Sequence, residues 1–146
     1  MADSRETIAI ASDHAGFELK AALKGELAEM GYAALDLGTE SSASVDYPDF
    51  ADRLAAALKD GRAKAGVLIC GTGIGISIAA NRHRHIRAAV VHDVTAIRMT
   101  RRHNDANVLC LGARLIGADV AKDCLKVFLG TEFEGGRHQN RVAKLG

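Results

Sequence analysis

Short apolar runs, separated by longer amphipathic stretches, follow one another along most of the chain. Strands that are covered on both faces are apolar throughout instead of alternating with polar residues. Five runs have this character and predict buried β-strands. They are residues 7–12, 33–37, 65–70, 87–91 and 108–111.

The stretches between these runs predict helices. In the first of them, Leu19, Leu23, Leu27 and Met30 recur at three- and four-residue spacing along one helical face. Pro48, the only proline of the chain, falls where the second helix would begin, a position that tolerates its missing N–H. The predicted helices span residues 17–30, 48–60, 76–82, about 93–102 and about 118–128.

Each predicted strand is followed by a helix, five times in succession. This alternation predicts an α/β fold: a doubly wound, parallel, five-stranded sheet in three α/β/α layers, of Rossmann or flavodoxin type. No linker, repeat or change of composition marks a second domain. We therefore expect a single domain over residues 1–146, in which the Gly- and Arg-rich residues 130–146 form either a frayed tail or a functional arm.

Composition and charge exclude several classes of function. Apolar residues make up 48% and charged residues 25%, but no apolar run approaches the ~20 residues that span a bilayer, so no membrane partner is expected. Residues 1–6 are polar and lead straight into the first strand, so we expect no signal peptide and a cytoplasmic location. The net charge of +1 suggests no nucleic-acid partner, although residues 82–103, with six arginines, four histidines and one acid, suit a phosphate.

The three cysteines, Cys70, Cys110 and Cys124, are too few and too irregularly spaced for a disulfide framework, and none belongs to a CxxC pair. We therefore expect free thiols. Cys110 and Cys124 lie inside apolar runs and fit the role of small buried hydrophobes. Cys70 differs from them because a glycine-rich loop follows it directly.

Polar groups that could carry chemistry follow the ends of the predicted strands. In open α/β sheets, ligands bind beyond the carboxyl ends of the strands, where loops and helix N-termini converge. The polar residues at these ends are Asp13 and His14 after the first strand, Cys70 and its loop after the third, His92 and Asp93 after the fourth, and Arg114 after the fifth.

The loop Gly71-Thr72-Gly73-Ile74-Gly75 leads from a strand into a helix, so its backbone N–H groups can approach and hold an anion. The motif alone is weak, because the dinucleotide-binding fingerprint requires a glycine where Ile76 stands. Asp93 does lie at a suitable distance downstream to bind a ribose. A nicotinamide-binding domain therefore stays a minor alternative to a phosphate-binding loop.

Cys70 directly precedes this loop. Backbone N–H donors and the positive end of the following helix would both favour a thiolate at this position. The alternative is a buried thiol at the end of a strand that has no chemical role. The adjoining loop favours the first interpretation.

Three other groups of polar residues permit both a structural and a functional interpretation. Asp13 can be the N-cap of the first helix, with His14 merely exposed, or both can face a ligand. Residues 103–105 can form an ordinary C-terminal helix cap. Arg137 and Arg141, four residues apart, can be a solvated charge pair or a phosphate clamp. None of these groups decides the function alone.

Five segments stand in order along the chain: Ser-Asp-His-Ala-Gly-Phe at 12–17, Asp-Tyr-Pro at 46–48, Ile-Cys-Gly-Thr-Gly-Ile-Gly-Ile-Ser at 69–77, Arg-His-Asn-Asp-Ala-Asn-Val-Leu at 102–109 and Gly-Gly-Arg-His-Gln-Asn-Arg at 135–141. Taken together, these segments resemble the ribose-5-phosphate isomerase B family, which includes the galactose-6-phosphate isomerase subunits. The resemblance implies a flavodoxin-like fold and a homodimer or a dimer of dimers with active sites at the subunit interface.

By that resemblance the chain would interconvert ribose 5-phosphate and ribulose 5-phosphate in the pentose phosphate pathway, with no metal and no cofactor. Cys70 would be the base that carries a proton between C1 and C2, Thr72 would help to stabilise the enediolate, and His103 would assist opening of the furanose ring. The other implied contacts are His14, Arg114, Arg137 and Arg141 to the phosphate, Asp13, Tyr47 and Asn104 to sugar hydroxyls, and Gly71, Thr72, Gly73, Ile74 and Gly75 around the enediolate.

Another branch of the family has its catalytic carboxylate within the glycine loop and lacks the cysteine. In this chain the corresponding position is Ile74, which cannot accept a proton, so the chain resembles the cysteine type. Two other functions stay open: an isomerase of a six-carbon sugar phosphate, such as allose or galactose 6-phosphate, and a non-catalytic sugar-phosphate sensor. Cys70, Thr72 and His103 argue against the sensor, because a binding protein needs no proton shuttle.

Overall fold

Strands and helices alternate along the chain as the sequence predicts. The structure, a computed structural model, describes residues 4–146. Residues 1–3, which the single-domain prediction included, lie outside the described residues. The strands are β1 (Thr7–Ser12), β2 (Ala33–Asp36), β3 (Ala65–Cys70), β4 (Ala88–Val90) and β5 (Val108–Gly112).

The five predicted helices are present, and their ends differ from the prediction by at most two residues. The third helix begins at residue 74 instead of 76, because Gly73, with a φ of 77°, turns the chain into the helix soon after β3. An additional short helix, which the sequence did not predict, lies near the C-terminus, inside the segment left open as tail or arm. The helices are α1 (Phe17–Glu29), α2 (Tyr47–Lys59), α3 (Ile74–Ala80), α4 (Val94–Asn104), α5 (Ala118–Gly130) and α6 (His138–Ala143), with a 3₁₀ turn at His14–Gly16.

All five strands are parallel, in the order β2-β1-β3-β5-β4. Helices α2 and α3 pack on one face of the sheet, and α1, α4 and α5 pack on the other. The predicted doubly wound sheet in three layers is therefore confirmed. Within residues 4–146, no helix combines the length and the apolar character needed to cross a membrane.

Successive side chains of each strand enter opposite layers of the core. In β3, Leu68 and Cys70 face α2 and α3, whereas Val67 and Ile69 face the layer of α1, α4 and α5. Burial of each such aliphatic side chain contributes about 1.5–3 kcal/mol, which explains why the strands are apolar on both faces. The alternation also sets the Cys70 side chain on the α2 and α3 side of the sheet.

The crevice at the carboxyl edge of the sheet opens between β1 and β3. From β1 the chain passes to β2 on one side and then crosses to β3 on the other, which creates a switch point of the kind where α/β proteins bind ligands. The backbone N–H of Asp13 donates to the carbonyl oxygen of Ile69 at 3.1 Å. This bond holds the residue that follows β1 beside the end of β3, next to Cys70.

The C-terminal segment is a structured arm. Helix α6 packs against α4, and its first residue, His138, is only 6% exposed. Arg137 and Arg141 lie at the start of α6 and one turn later, and both are exposed. The interpretation as a frayed tail is therefore wrong for residues 138–143.

Candidate active site

Cys70 is the last residue of β3 and is 5% exposed. Its Sγ atom accepts a hydrogen bond from the backbone N–H of Gly73 at 3.2 Å. A donor directed at sulfur stabilises negative charge on it, so the loop supplies the kind of backbone donor that the sequence predicted. The thiol and the glycine loop therefore form one local unit at the switch point.

The glycines of the loop permit close contact with neighbouring segments. A Cβ atom on Gly73 would lie 2.9 Å from the carbonyl carbon of Leu111, and the positive φ of Gly73 would strain any other residue. A Cβ atom on Gly75 would lie 2.7 Å from Cζ of Tyr47. Glycine at these two positions thus lets β5 and the Tyr47 ring approach the loop.

Two polar side chains flank the loop at its outer surface. The Oγ1 atom of Thr72 accepts the N–H of Ile74 at 3.2 Å, so the threonine folds back over the turn. Arg114 follows β5, and a Cβ atom on Gly71 would lie 3.4 Å from its Cδ. The side chains of Tyr47 and Arg114 therefore lie next to the loop that follows Cys70, together with that of Thr72 from the loop itself.

Asp13 serves as a cap and lies next to the crevice. Its Oδ1 atom accepts the N–H of Gly16 at 3.2 Å, at the start of the 3₁₀ turn. The residue is 6% exposed and lies beside the end of β3. Asp13 therefore caps the 3₁₀ turn and not the first helix, because Gly16 is the N-cap residue of α1. The expectation that His14 would be merely exposed is wrong, because its ring is half-buried. The cap does not compete with a role of Asp13 toward a ligand, because the carboxylate has a second oxygen.

The ring of His14 is held by the segment that follows β2. Its Nδ1 atom accepts the backbone N–H of Val45 at 3.1 Å. A ring nitrogen that accepts carries no proton, so in the neutral ring Nε2 is the donor. The half-buried His14 can therefore donate to an anionic oxygen in the crevice. No feature of the sequence indicates this role of Val45, because Val45 acts through its backbone.

His92 is a further residue at this edge, to which the sequence assigned no role. Its Nε2 atom accepts the N–H of Gly112 at 2.9 Å, and Gly112 is paired in register with Cys70. The His92 ring therefore lies at the end of β5, one strand away from the thiol. Its place directly after the fourth predicted strand marked it as a polar residue of this edge but indicated no particular role.

His103 and Asn104 lie at the amino edge of the sheet, where the strands begin, and not at the carboxyl edge where Cys70 lies. They end α4, which begins at the carboxyl edge and runs back to the start of β5. At that amino edge, Asn107 accepts the N–H of Arg87, the residue before β4. The two edges are about 16 Å apart along β3, and α4 and Cys70 belong to different faces. One chain therefore does not bring His103 to its own Cys70.

The surroundings of His103 form a second cluster. Its ring stacks on that of His138, with centroids 4.3 Å apart and planes at 16°. The pKa of His138 is lowered, first by burial and then by the charges of His103 and Arg137, with a smaller lowering from Arg141, while Glu134 acts to raise it. The structure thus brings His103, Arg137 and Arg141 together in a basic patch.

Three of these residues have side chains of the types that bind zinc. The donor atoms of His103, Glu134 and His138 all lie within 4.8 Å of one another. Arg137 and Arg141 add positive charge next to them. The patch therefore suits an anion better than a metal ion.

A cavity of about 410 Å³ adjoins the glycine loop between α2 and α3. Tyr47 and Gly75 line the end of the cavity at the loop, and the apolar Ile78 and the basic Arg82 line it farther along α3. Another cavity, of about 350 Å³, opens at the amino edge, where Arg87 and Arg101 both pair with Asp105. The first cavity is the one that borders the loop next to Cys70.

The chain is similar to known sugar-phosphate isomerases over nearly its whole length. A family model described as ribose/galactose isomerase matches residues 8–145. The chain is 47% identical to ribose-5-phosphate isomerase B of Escherichia coli (strain K12), covering 92% of this chain and 91% of that protein. It is 41% identical to D-erythrulose-4-phosphate isomerase of Pectobacterium atrosepticum, covering 96% and 93%. The solved structure of Clostridium thermocellum ribose-5-phosphate isomerase B has a TM-score of 0.94 at 50% identity, covering 96% of this chain and 95% of that one.

Proposed function

The chain belongs to the ribose/galactose isomerase family, and from this premise we propose that it interconverts D-ribose 5-phosphate and D-ribulose 5-phosphate through an enediolate. The observation that carries the proposal is the Cys70 thiol, which accepts the N–H of Gly73 at the switch point of the sheet. Such an enzyme would serve the pentose phosphate pathway, and we expect it in the cytoplasm.

Cys70 is the proposed base. As a thiolate it removes the proton from C2 of the open-chain aldose, C1 and C2 become doubly bonded, and the negative charge moves to O1. The thiol then returns the proton to C1, while the hydroxyl proton of O2 passes to O1 and the ketone forms at C2. No proton is gained or lost overall, so the residues of the site need no co-reactant for this step.

The enediolate needs fixed donors, and the loop is the proposed source of them. Its turn already directs one backbone N–H at Cys70 and folds the Thr72 side chain over the loop. Preorganised donors of this kind stabilise charge that develops during the reaction. Asp13 and Tyr47, which flank the crevice and the loop, are the proposed partners of the sugar hydroxyls.

The phosphate would be held by groups from both clusters. His14, which can donate through Nε2, and the exposed Arg114 lie near the Cys70 loop. Arg137 and Arg141 belong to the arm at residues 130–146, and their guanidinium groups are well matched to a phosphate dianion. On this proposal the arm contributes two of the four groups that hold the phosphate, and two of the three that are cations.

We place the complete site between two copies of the chain. His103 and Asn104 lie at the amino edge and Cys70 at the carboxyl edge, so a second subunit must supply one of the two sets. Ile74 in the glycine loop and Ile78 one helical turn later are 51% and 62% exposed, and they support this arrangement. Adjacent exposed aliphatic side chains are typical of a surface that a partner covers.

Sugar phosphates with other numbers of carbon atoms should be tested as substrates too, because one relative is named for a four-carbon sugar phosphate. The purified protein should be incubated separately with ribose 5-phosphate, D-erythrulose 4-phosphate and allose 6-phosphate, with EDTA present, and isomer formation followed. We expect the largest kcat/KM with ribose 5-phosphate and no effect of EDTA. A larger kcat/KM with another sugar phosphate would identify that sugar as the substrate instead. Loss of activity with EDTA would overturn the metal-free mechanism.

A further inference from the structure

The imidazole of His138 is buried against the ring of His103, and the proposed reaction assigns no role to His138. The two rings are 4.3 Å apart and nearly parallel, and His138 is 6% exposed whereas His103 is half-buried. His138 is the first residue of α6, and α6 packs on α4 next to His103. The arm therefore holds one histidine as a flat support behind another.

The Nε2 atom of His138 is buried without a hydrogen-bond partner. Among residues 4–146, Nε2 of His138 and Oγ of Ser12 are the buried side-chain polar atoms that lack a partner. The nearest carboxylate oxygen, Oε1 of Glu134, is 3.9 Å away, too far for a hydrogen bond. Burying a polar group without a partner costs stability. A phenyl ring would fill the same space without that cost.

The charges around His138 favour its neutral form. Burial is the largest influence that lowers the pKa of this ring, followed by His103, Arg137 and Arg141, with Glu134 as the opposing carboxylate. A neutral aromatic face attracts a cation stacked upon it. The pair is therefore suited to a neutral His138 beneath a His103 ring that gains and loses a proton.

We propose that His138 is a positioning residue for His103: its stacked ring fixes the plane of the His103 imidazole and stabilises the protonated form while the furanose opens. The inference rests on the proposed function, because ring opening is the step assigned to His103. In that step the C1–O4 bond breaks, the C1–O1 double bond forms, O4 gains a proton and O1 loses one. His103 gives and regains the proton, and His138 exchanges none.

The two substrates separate this role from a general loss of activity. Ribose 5-phosphate is a closed furanose and must be opened, whereas ribulose 5-phosphate cannot close a furanose, because its 5-oxygen carries the phosphate. An enzyme that no longer opens the ring depends on opening in free solution. Its rate from ribose 5-phosphate then stops rising with enzyme concentration, while its rate from ribulose 5-phosphate goes on rising.

The variants are His138→Ala, which removes the stacked ring, and His138→Phe, which keeps a ring and removes the nitrogens. His103→Ala is the reference for lost ring opening. The matched control is His85→Ala, which disrupts the other close pair of histidine rings, His83 and His85, 6.1 Å apart on a different part of the surface. Thermal melting of each variant establishes that it is folded.

We expect His138→Ala to lower turnover from ribose 5-phosphate about 10- to 100-fold, the scale of a misplaced catalytic group, and to make that rate level off with enzyme concentration. Turnover from ribulose 5-phosphate should fall far less. His138→Phe should recover most of the loss, and His85→Ala should resemble the wild type. An equal loss from both sugars in folded His138→Ala, or no recovery with Phe, would overturn the positioning role.

A measurement that does not need activity distinguishes failure of this inference from failure of the proposed function. In NMR spectra the ring protons of His103 should lose the ring-current shift of the stack in His138→Ala and keep it in His138→Phe. Unchanged His103 signals in His138→Ala would overturn the inference even in an active enzyme. If the signals change as expected but the wild type isomerises no sugar phosphate, the proposed function fails instead.

Discussion

The Sγ atom of Cys70 lies 3.2 Å from the backbone nitrogen of Gly73 and accepts its N–H. The bond depends on the left-handed φ of 77° at Gly73, a conformation that glycine adopts without strain. The same residue caps the start of α3. The turn that begins the helix and the donor that faces the sulfur are therefore one structural feature, and the predictions about Cys70 depend on it.

Replacing Cys70 with Ala should reduce isomerisation by at least about 10²–10⁴-fold, the typical contribution of a general base. Binding of the sugar phosphate and folding should change little, because the loop and the arginines stay in place. Exchange of the C2 proton of the substrate with D₂O, followed by NMR, measures the step directly. Cys124→Ala is the control, and exchange at the wild-type rate in Cys70→Ala would assign the proton to another base.

Iodoacetamide should label Cys70 in the native protein and leave Cys110 and Cys124 unmodified. Burial raises the pKa of both other thiols, and Cys110 is completely buried in the core. The thiolate is the form that reacts. Mass spectrometry of the labelled peptides, with and without substrate, identifies the site. Labelling of Cys110 ahead of Cys70, or a lack of protection by substrate, would contradict the assignment.

Mixing two inactive variants should restore activity if the site lies between subunits. Cys70→Ala and His103→Ala damage different parts, so a mixed dimer contains one intact site and one site that lacks both groups. After unfolding and refolding together, random pairing in a two-fold dimer should give about a quarter of wild-type activity. Each variant refolded alone is the control. No recovery in mixed dimers shown to form would mean that both groups act from one chain.

Replacing Arg137 or Arg141 with Ala should raise KM for ribose 5-phosphate about 10- to 100-fold, the value of a hydrogen bond between charged groups. The effect should appear mainly in KM, because a phosphate is held alike in the ground and transition states. Steady-state kinetics checks this, with the exposed Arg62→Ala as control. Unchanged kinetics in both variants would make the arm irrelevant to substrate binding.

Asp36 should make the stability of the protein fall in acid. Burial alone would raise its pKa, but hydrogen bonds from Lys20, Lys24 and the N–H of Gly38 outweigh burial and lower the pKa to about 2, from 3.8. The folded carboxyl therefore resists protonation more than the unfolded one. Its contribution is complete above about pH 4 and is lost as the pH falls toward about 2.

The variant Asp36→Asn tests this dependence through urea unfolding at several pH values. At pH 7 it should cost roughly 2–3 kcal/mol, because Lys20, 3% exposed, loses its partner. Asp60→Asn, in an exposed pair with Arg62 at 3.8 Å, is the control and should cost little. The Asp36→Asn and wild-type stabilities should converge near pH 2. A constant difference at all pH values would refute the assigned cause.

The order and the type of most elements could be predicted, because burial on both faces of the sheet forces apolar runs that the sequence displays directly. Local turns were harder. The start of α3 depends on the left-handed conformation of Gly73, which hydrophobic periodicity does not reveal. Helix α6 is short and mostly exposed, and it is held by the contact of His138 with His103. A contact between distant segments leaves no local periodic signal.

For the candidate site, the sequence predicted the residues that follow strand ends better than their partners. Cys70, Asp13 and His14 lie in the crevice because parallel strands end at one edge of a sheet. The donors to Cys70 and His14 are backbone N–H groups, which any residue can supply and which therefore have no sequence signature. That His103 lies at the far edge follows only from the direction of α4.

The two carboxylate oxygens of Asp13 have different tasks on the proposed function, and this limits the substitutions that an active protein can accept at position 13. One oxygen caps the 3₁₀ turn through Gly16, and on the proposed function the other meets the sugar. Asn would keep the cap and lose the charge, and Glu would keep the charge but extend it one methylene beyond the N–H. At Asp93, which caps α4 through Ala96 and has no part in the proposed reaction, Ser, Thr or Asn would serve as well. Saturation mutagenesis under selection for activity should therefore find position 13 far less tolerant than position 93, although both aspartates make the same kind of hydrogen bond.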